Sequence, residues 1–248
     1  MTDFDAATTL ADINAATEHL LESVADLTDD DIRASSLCSG WTRGHVLTHI
    51  ARNADGMTNL LNSASTGEVT PMYESDEKRD ADIDAGAGRS ADELRADLLD
   101  SANRFTAAFE AVGPDQWATP VYRTPGVTNI IAGEIGGKRL GEVLIHHVDL
   151  GLDFTPAHWS DSFTDAEFTD TLARFTGRDG FPALRLDVEE EDAWYGLNAE
   201  PDDENVIAVH GPKRALLAWL MGRASGDGLV ATLPGGGRGQ LPEIPKWG

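Results

Sequence analysis

Cysteine occurs once in these 248 residues, lysine four times, and nowhere do eighteen apolar residues run together. The single Cys38 excludes an intramolecular disulfide and a closed metal site built on several thiolates, and it fits a reducing cytoplasm. Without a long apolar run, no transmembrane helix is expected. The acidic start, Met1-Thr2-Asp3-Phe4-Asp5, has no basic stretch ahead of an apolar one and does not read as a secretory signal. Positive charge is also scarce: 19 Lys and Arg stand against 43 Asp and Glu, for a formal net charge of −24. Phosphate binding needs clustered cations, so a nucleic-acid partner is not expected, and an anionic membrane surface would repel the chain. A small anionic substrate would have to be held by a locally placed arginine.

What is present is ordinary for a globular protein, with 41% hydrophobic and 25% charged residues, enough for one large core or two modest ones. Leu10, Ile13, Ala16, Leu20 and Val24 recur at helical spacing over residues 6–26. A second helix is expected from Arg43 to Ser63, capped by Thr42. Residues 66–73, with Pro71, break the period and read as an irregular loop, followed by a short acidic helix over 74–85. Ser90 with Glu93 is a capping box opening the next long helix, which stops at Gly113-Pro114. Residues 114–127 are turn-rich, with Pro125 and Gly126 among them, and a last long helix is expected over Ile130–Leu152.

These four long helices predict a bundle over residues 1–155. Beyond Pro156 the pattern changes to a helix over Asp161–Thr176 and β-type runs at Ala183–Val188, Ala193–Leu197 and Val206–Val209. Acidic turns separate the runs at Glu189–Asp192 and Asp202–Glu204. A helix from Lys213 to Gly222, a run over Gly228–Leu233 and a tail without period complete the chain. Residues 156–248 thus read as a small α+β domain with an antiparallel sheet, and the whole as an α+β chain.

The segment Arg139–Gly151 contains the most informative pair. Glu142 and His146 lie four apart, which on a helix places both on one face, roughly 6 Å from each other. A carboxylate and an imidazole so arranged are two ligands for a divalent metal. A third is available from His45 or His49, themselves four apart, between which helical spacing does not choose. Two histidines and a glutamate form an open site that leaves a coordination position for water or substrate. His147, next in sequence to His146, points about 100° away. The plain alternative is that each histidine is a hydrogen-bonded core or surface residue.

Four segments together resemble the mycothiol-dependent maleylpyruvate isomerases, within the DinB-type metal-binding helical bundle family. They are Gly40-Trp41-Thr42-Arg43 with His45 and His49, Thr66-Gly67-Glu68 with Thr70-Pro71-Met72-Tyr73, Arg139 through Gly151, and Gly222-Arg223. The resemblance implies a DinB-like four-helix bundle followed by the small α+β domain. It implies a zinc ion held by His49, Glu142 and His146, leaving His45 without a ligand role. It also implies mycothiol as cofactor and a catalytic role for Arg223, which by position alone is a helix-terminal residue near the carbonyl end of the dipole. The activity implied is the cis-trans isomerisation of maleylpyruvate to fumarylpyruvate in gentisate-type aromatic degradation. A mycothiol S-transferase and a non-catalytic binding module are the alternatives.

Isomerising a double bond conjugated to a carbonyl requires a temporary single bond, which a thiolate supplies by reversible addition. Cys38 lies outside the proposed ligand positions, so a diffusible low-molecular-weight thiol is the more economical nucleophile. A metal with an open position lowers a thiol pKa. An arginine holds the carboxylates and the enolate oxygen. Arg223 fits that role, with Arg79 and Arg139 as further substrate-binding candidates, each of which could equally be a surface ion-pair partner.

Overall fold

The structure, a computed structural model, describes residues 4–123, 129–191, 193–200, 203 and 205–245. The expected turn at Pro125-Gly126 and the acidic residues Asp192, Asp202 and Glu204 lie outside these, as do Met1, Thr2 and Asp3 of the acidic start. The chain divides into two compact units, Met1–Asp153 and Phe154–Gly248. No helix among the described residues is long and apolar enough to cross a membrane.

The first unit contains α1 (Ala6–Ser23), α2 (Asp29–Arg33), α3 (Arg43–Thr66), α4 (Asp76–Gly86), α5 (Ala91–Glu110), β1 (Pro120–Tyr122), β2 (Asn129–Ile131) and α6 (Ile135–Asp149). α1 and α3 each pack against both α5 and α6, giving a four-helix bundle in the ring order α1–α5–α3–α6. Side-chain caps fix the helix starts. Asp5 accepts from the Ala7 and Thr8 amides, and Ser90 exchanges bonds with Glu93 as its capping box predicts. Leu61, Leu60 and Met57 of α3 meet Phe105 and Phe109 of α5 at one end of the bundle. Leu47 and Ile50 meet Leu94 and Leu98 toward the other. Burying each such side chain contributes about 1.5–3 kcal/mol, which orders the long helices despite modest intrinsic propensity.

The last bundle helix starts later than its apolar pattern suggests. Residues 129–131 pair antiparallel with β1, and the Ala132 and Gly133 amides donate to Thr119 and Trp117 carbonyls. With those backbone groups engaged across the chain, α6 begins only at Ile135. The loop expected over 66–73 begins one residue later, after the last residue of α3, and although it has no regular element it is firmly held. Ser63 Oγ bonds both the amide and the carbonyl of Thr70, and the Met72 and Tyr73 amides donate to Tyr122 and Arg123 carbonyls.

The second unit comprises α7 (Asp161–Phe175), β3 (Leu184–Val188), β4 (Ala193–Leu197), β5 (Ile207–Gly211), α8 (Lys213–Leu220), β6 (Val230–Thr232) and β7 (Arg238–Gly239). The sheet order is β4-β3-β5-β6-β7. Leu184, Leu186 and Val188 alternate inward on β3 while Arg185 and Asp187 pair outside. The α+β class holds, and the ladders are antiparallel except β3 with β5, which run parallel. The tail after Leu233, without period in sequence, supplies the two-residue β7. α8 ends in a Schellman motif: Gly222, at φ +69°, donates to Trp219 O and Arg223 N donates to Ala218 O.

Candidate metal centre

α3 and α6 face each other along a polar seam. Arg139, Glu142, His146 and Asp149 follow at steps of three and four on α6, while His49 and Asn53 lie one turn apart on α3. The seam brings His49, Glu142 and His146 to one point, with their ligand atoms within 4.8 Å of one another. His49 Nε2 is 2.9 Å from Glu142 Oε2 and 3.0 Å from His146 Nε2, and the remaining edge, His146 Nε2 to Glu142 Oε2, is 3.4 Å. His49 is buried, whereas the Glu142 side chain keeps 31% of its surface exposed, so the group opens to solvent on the carboxylate side.

His45 is withheld from this group by the helix start. It is the third residue of α3, and its Nδ1 takes the Thr42 amide at 3.1 Å in a capping box. His147 points away, fully buried, with its ring edge-on to His19 of α1.

The protonation pattern follows from the surroundings. Loss of hydration pushes His49 below the usual imidazole value, and the charge on His146 pushes it further, against the pull of Glu142. His146 also loses hydration, but its hydrogen bonds to Asp149, Cys38 and Glu142 prevail and raise it well above 6.5. Glu142 is opposed by desolvation, yet hydrogen bonds from His146 and His49 hold it well below the ordinary carboxylate value. The result is one imidazolium, one neutral imidazole and one carboxylate.

Behind His146, Asp149 is 1% exposed and accepts from His146 Nδ1 at 2.8 Å. Such a carboxylate fixes the ring orientation and directs Nε2 toward the centre. Cys38 must be relocated relative to the expectation that it stands apart from the ligands. The Leu37 amide donates to the Asp149 carbonyl at 2.8 Å, which lays the turn before α3 over the end of α6. This puts the thiol in one group with His146 and Asp149. The same turn carries Trp41, whose ring lies 5.6 Å from that of His49.

The arginines separate. Arg79 reaches the centre: its Nη2 lies 3.3 Å from His49 Nδ1, its Nη1 pairs with Asp80, and its guanidinium sits 5.9 Å from the Tyr73 ring centroid. Arg139, offered by the sequence as a substrate cation or a surface ion pair, is neither exposed nor at the surface. It is 1% exposed, donates from Nη1 to Ile50 O and Asn53 Oδ1, and is pushed down to about 10 by desolvation. An anion arriving from solvent has no access to it. Arg223, in the second unit, donates from Nη1 to the Met221 carbonyl at 2.8 Å, within the α8 cap. Tyr73 and Asp149 are neighbours of this group that the sequence presents only as motif letters; Asp149 shares the helical step of Glu142 and His146, whereas nothing in the spacing of Tyr73 marks it.

The donor set fits a divalent metal. Two imidazole nitrogens and a carboxylate oxygen are zinc-type ligands, and tetrahedral bonds of about 2.1 Å give ligand–ligand edges of about 3.4 Å. The edges here are of that size or slightly shorter. Two ring nitrogens aimed at each other across 3.0 Å can be reconciled without a metal only by a proton between them.

Fold and site define the class: a DinB-type helical bundle bearing a three-donor ligand set, followed by an α+β unit. Residues 13–151 match the family of the mycothiol maleylpyruvate isomerase N-terminal domain, and the chain belongs to that family. It is similar throughout to the crystal structure of the mycothiol-dependent maleylpyruvate isomerase, with 29% identity and a TM-score of 0.88 over 100% of both chains. A histidine-to-alanine mutant of that isomerase matches with 28% identity and the same TM-score, again over 100% of both chains. No curated protein matches.

Proposed function

We propose that this chain is a zinc- and mycothiol-dependent isomerase that converts maleylpyruvate to fumarylpyruvate in the cytoplasm. The observation that supports this reading best is the convergence of His49, Glu142 and His146 with Arg79 at its edge, in a chain similar over its whole length to an isomerase of that kind. A bound metal and thiol supply a thiolate at neutral pH, able to add reversibly to the activated double bond.

The chain's own residues have separate tasks. Glu142, held ionised, and the two imidazole Nε2 atoms would hold the metal, and Asp149 orients His146. Arg79, whose Nη2 lies 3.3 Å from His49 Nδ1, would offer its N–H donors to a substrate carboxylate, at the site where a cation is most needed in a chain of net charge −24. The Trp41 ring packs beside that of His49, with 5.6 Å between centroids. Arg223 serves in this reading as the second cation for the substrate, a role drawn from the Gly222-Arg223 resemblance.

The test is direct. Zinc-loaded protein with mycothiol and maleylpyruvate should form fumarylpyruvate, and a chelator should stop the reaction. A stable thiol adduct with other electrophiles and no isomerisation would establish a transferase instead. Metal content near zero with no chelator effect on melting would leave a binding module.

A further inference from the structure

The Thr70-Pro71-Met72-Tyr73 segment is a motif to which the ligand set gives no task, and the way it is fastened suggests one. Its backbone is fixed at both ends, by Ser63 on Thr70 and by the Tyr122 and Arg123 carbonyls on Met72 and Tyr73. Its side chains press on α3 at Gly56, where a Cβ would stand 2.8 Å from Met72 Cγ and 3.0 Å from Tyr73 Cε1. Gly56 lies seven residues after His49, so this contact is on the seam face of α3. The Tyr73 ring is thereby seated beside Arg79, whose guanidinium carbon lies 5.9 Å from the ring centroid and whose Nη2 lies 3.3 Å from His49 Nδ1. Desolvation and then the nearby charge of Glu142 raise the phenol above its ordinary value of 10.0, against the pull of Arg79. The hydroxyl is therefore neutral at physiological pH. Arginine can only donate, so toward Arg79 the phenol oxygen is an acceptor and its own O–H remains a donor.

Resting on the isomerase reading, we infer that Tyr73 is a catalytic hydrogen-bond donor, whose O–H stabilises the oxyanion that develops on the substrate's carbonyl oxygen during isomerisation. When the thiolate sulfur bonds to the carbon β to the carbonyl, the π pair of the double bond shifts and the carbonyl oxygen takes the negative charge. Rotation follows about the resulting single bond. The charge then returns, the double bond re-forms and the C–S bond breaks, so no proton is gained or lost. A neutral donor that holds the oxygen without surrendering its proton suits this cycle, because protonating the enolate would divert it to a stable adduct. Its rigid seat means that little reorganisation is needed as the charge appears.

The test uses full-length zinc-loaded protein and Tyr73→Phe, which keeps the ring against Gly56. Turnover of maleylpyruvate with mycothiol should fall roughly 10²–10³-fold, with metal content, melting temperature and the KM for mycothiol unchanged. Oxalate, a stable planar mimic of an enolate, should bind at least about tenfold more weakly to the variant, as expected for a lost bond to a charged acceptor. Succinate, which has the carboxylates but no enolate, should bind both proteins alike. Full turnover in Tyr73→Phe, or a loss of metal in step with the loss of rate, overturns the inference while leaving the isomerase reading standing. An inactive wild type overturns both, and is recognised before any variant is made.

Discussion

Replacing Asp149 by asparagine isolates what the carboxylate behind His146 contributes. Among the influences that raise His146, its hydrogen bond to Asp149 is the largest. In the metal-free protein His146 is therefore charged at neutral pH, and a metal must displace that proton. Wild-type affinity should rise about tenfold per pH unit until the raised pKa is passed, then level off. In Asp149→Asn the amide oxygen still accepts from Nδ1 but the charge is gone, so the break in the curve moves to lower pH. Above both breaks the variant should bind zinc about 10–100-fold more weakly, or about 1.4–2.7 kcal/mol. Asp149 is 1% exposed, so solvent screening does not diminish this difference. Folding of the metal-free protein carries the opposite sign. A raised histidine stabilises the fold below its unfolded pKa near 6.5, and that contribution is lost as pH rises through the folded value. The stability gap between wild type and variant should thus be widest below pH 6.5 and close upward. Competition with a chromophoric chelator across pH 5.5–8.5, with thermal melts of the metal-free proteins, reads both effects. Superimposable affinity curves would refute the reasoning.

Three further outcomes are expected. Cys38→Ala should keep most of its turnover with mycothiol present, because in the proposed reaction the thiol that adds to substrate is external; a folded, zinc-loaded but inactive variant would make Cys38 the nucleophile. Arg223→Ala should retain zinc and fold and lose on the order of 10²–10³ in turnover if the guanidinium holds substrate. Were Arg223 only part of the α8 cap, the change would cost about 0.3–1 kcal/mol of stability and leave turnover intact. Gly56→Ala gains about 1 kcal/mol of helix propensity but meets the Met72 and Tyr73 side chains, at about 1–3 kcal/mol. A melting temperature unchanged or lowered by a few degrees, with reduced turnover, is expected. A rise in melting temperature at full activity would show that the loop does not bear on α3.

The parts of this fold legible in sequence are those written in a local period. α1, α3 and α5 follow from apolar spacing and capping residues, and the Ser90–Glu93 box marks its helix start to the residue. β2 was hidden because Ile130 and Ile131 fit the helical period of α6, and only pairing with a strand elsewhere in the chain removes them from it. The parallel run of β3 and β5 is likewise a property of two separated segments. At the site, spacing leads to Glu142 and His146 but stops between His45 and His49. The deciding fact is that His45 is occupied at the helix cap, a matter of three residues' backbone geometry. Arg139 shows the converse error, since an arginine three before Glu142 looks like a ligand for anions until Asn53 and Ile50 are seen to enclose it. Cys38 reaches His146 through a turn that the sequence does not announce.

The ligand set also has a consequence for the chain as a polymer. His49 and Glu142 are 93 residues apart, and a metal held as proposed would work as a removable cross-link around most of the first unit. A covalent link closing a loop of that length stabilises a fold by about 4–5 kcal/mol through the unfolded state. A metal at a thousand times its dissociation constant contributes about 4.1 kcal/mol, comparable with the whole margin by which a small domain stays folded. On the metal-dependent reading proposed above, the steady amount of this protein in a cell would be coupled to the free metal concentration. Zinc starvation would thin the population by proteolysis of opened chains, beyond whatever it does to turnover.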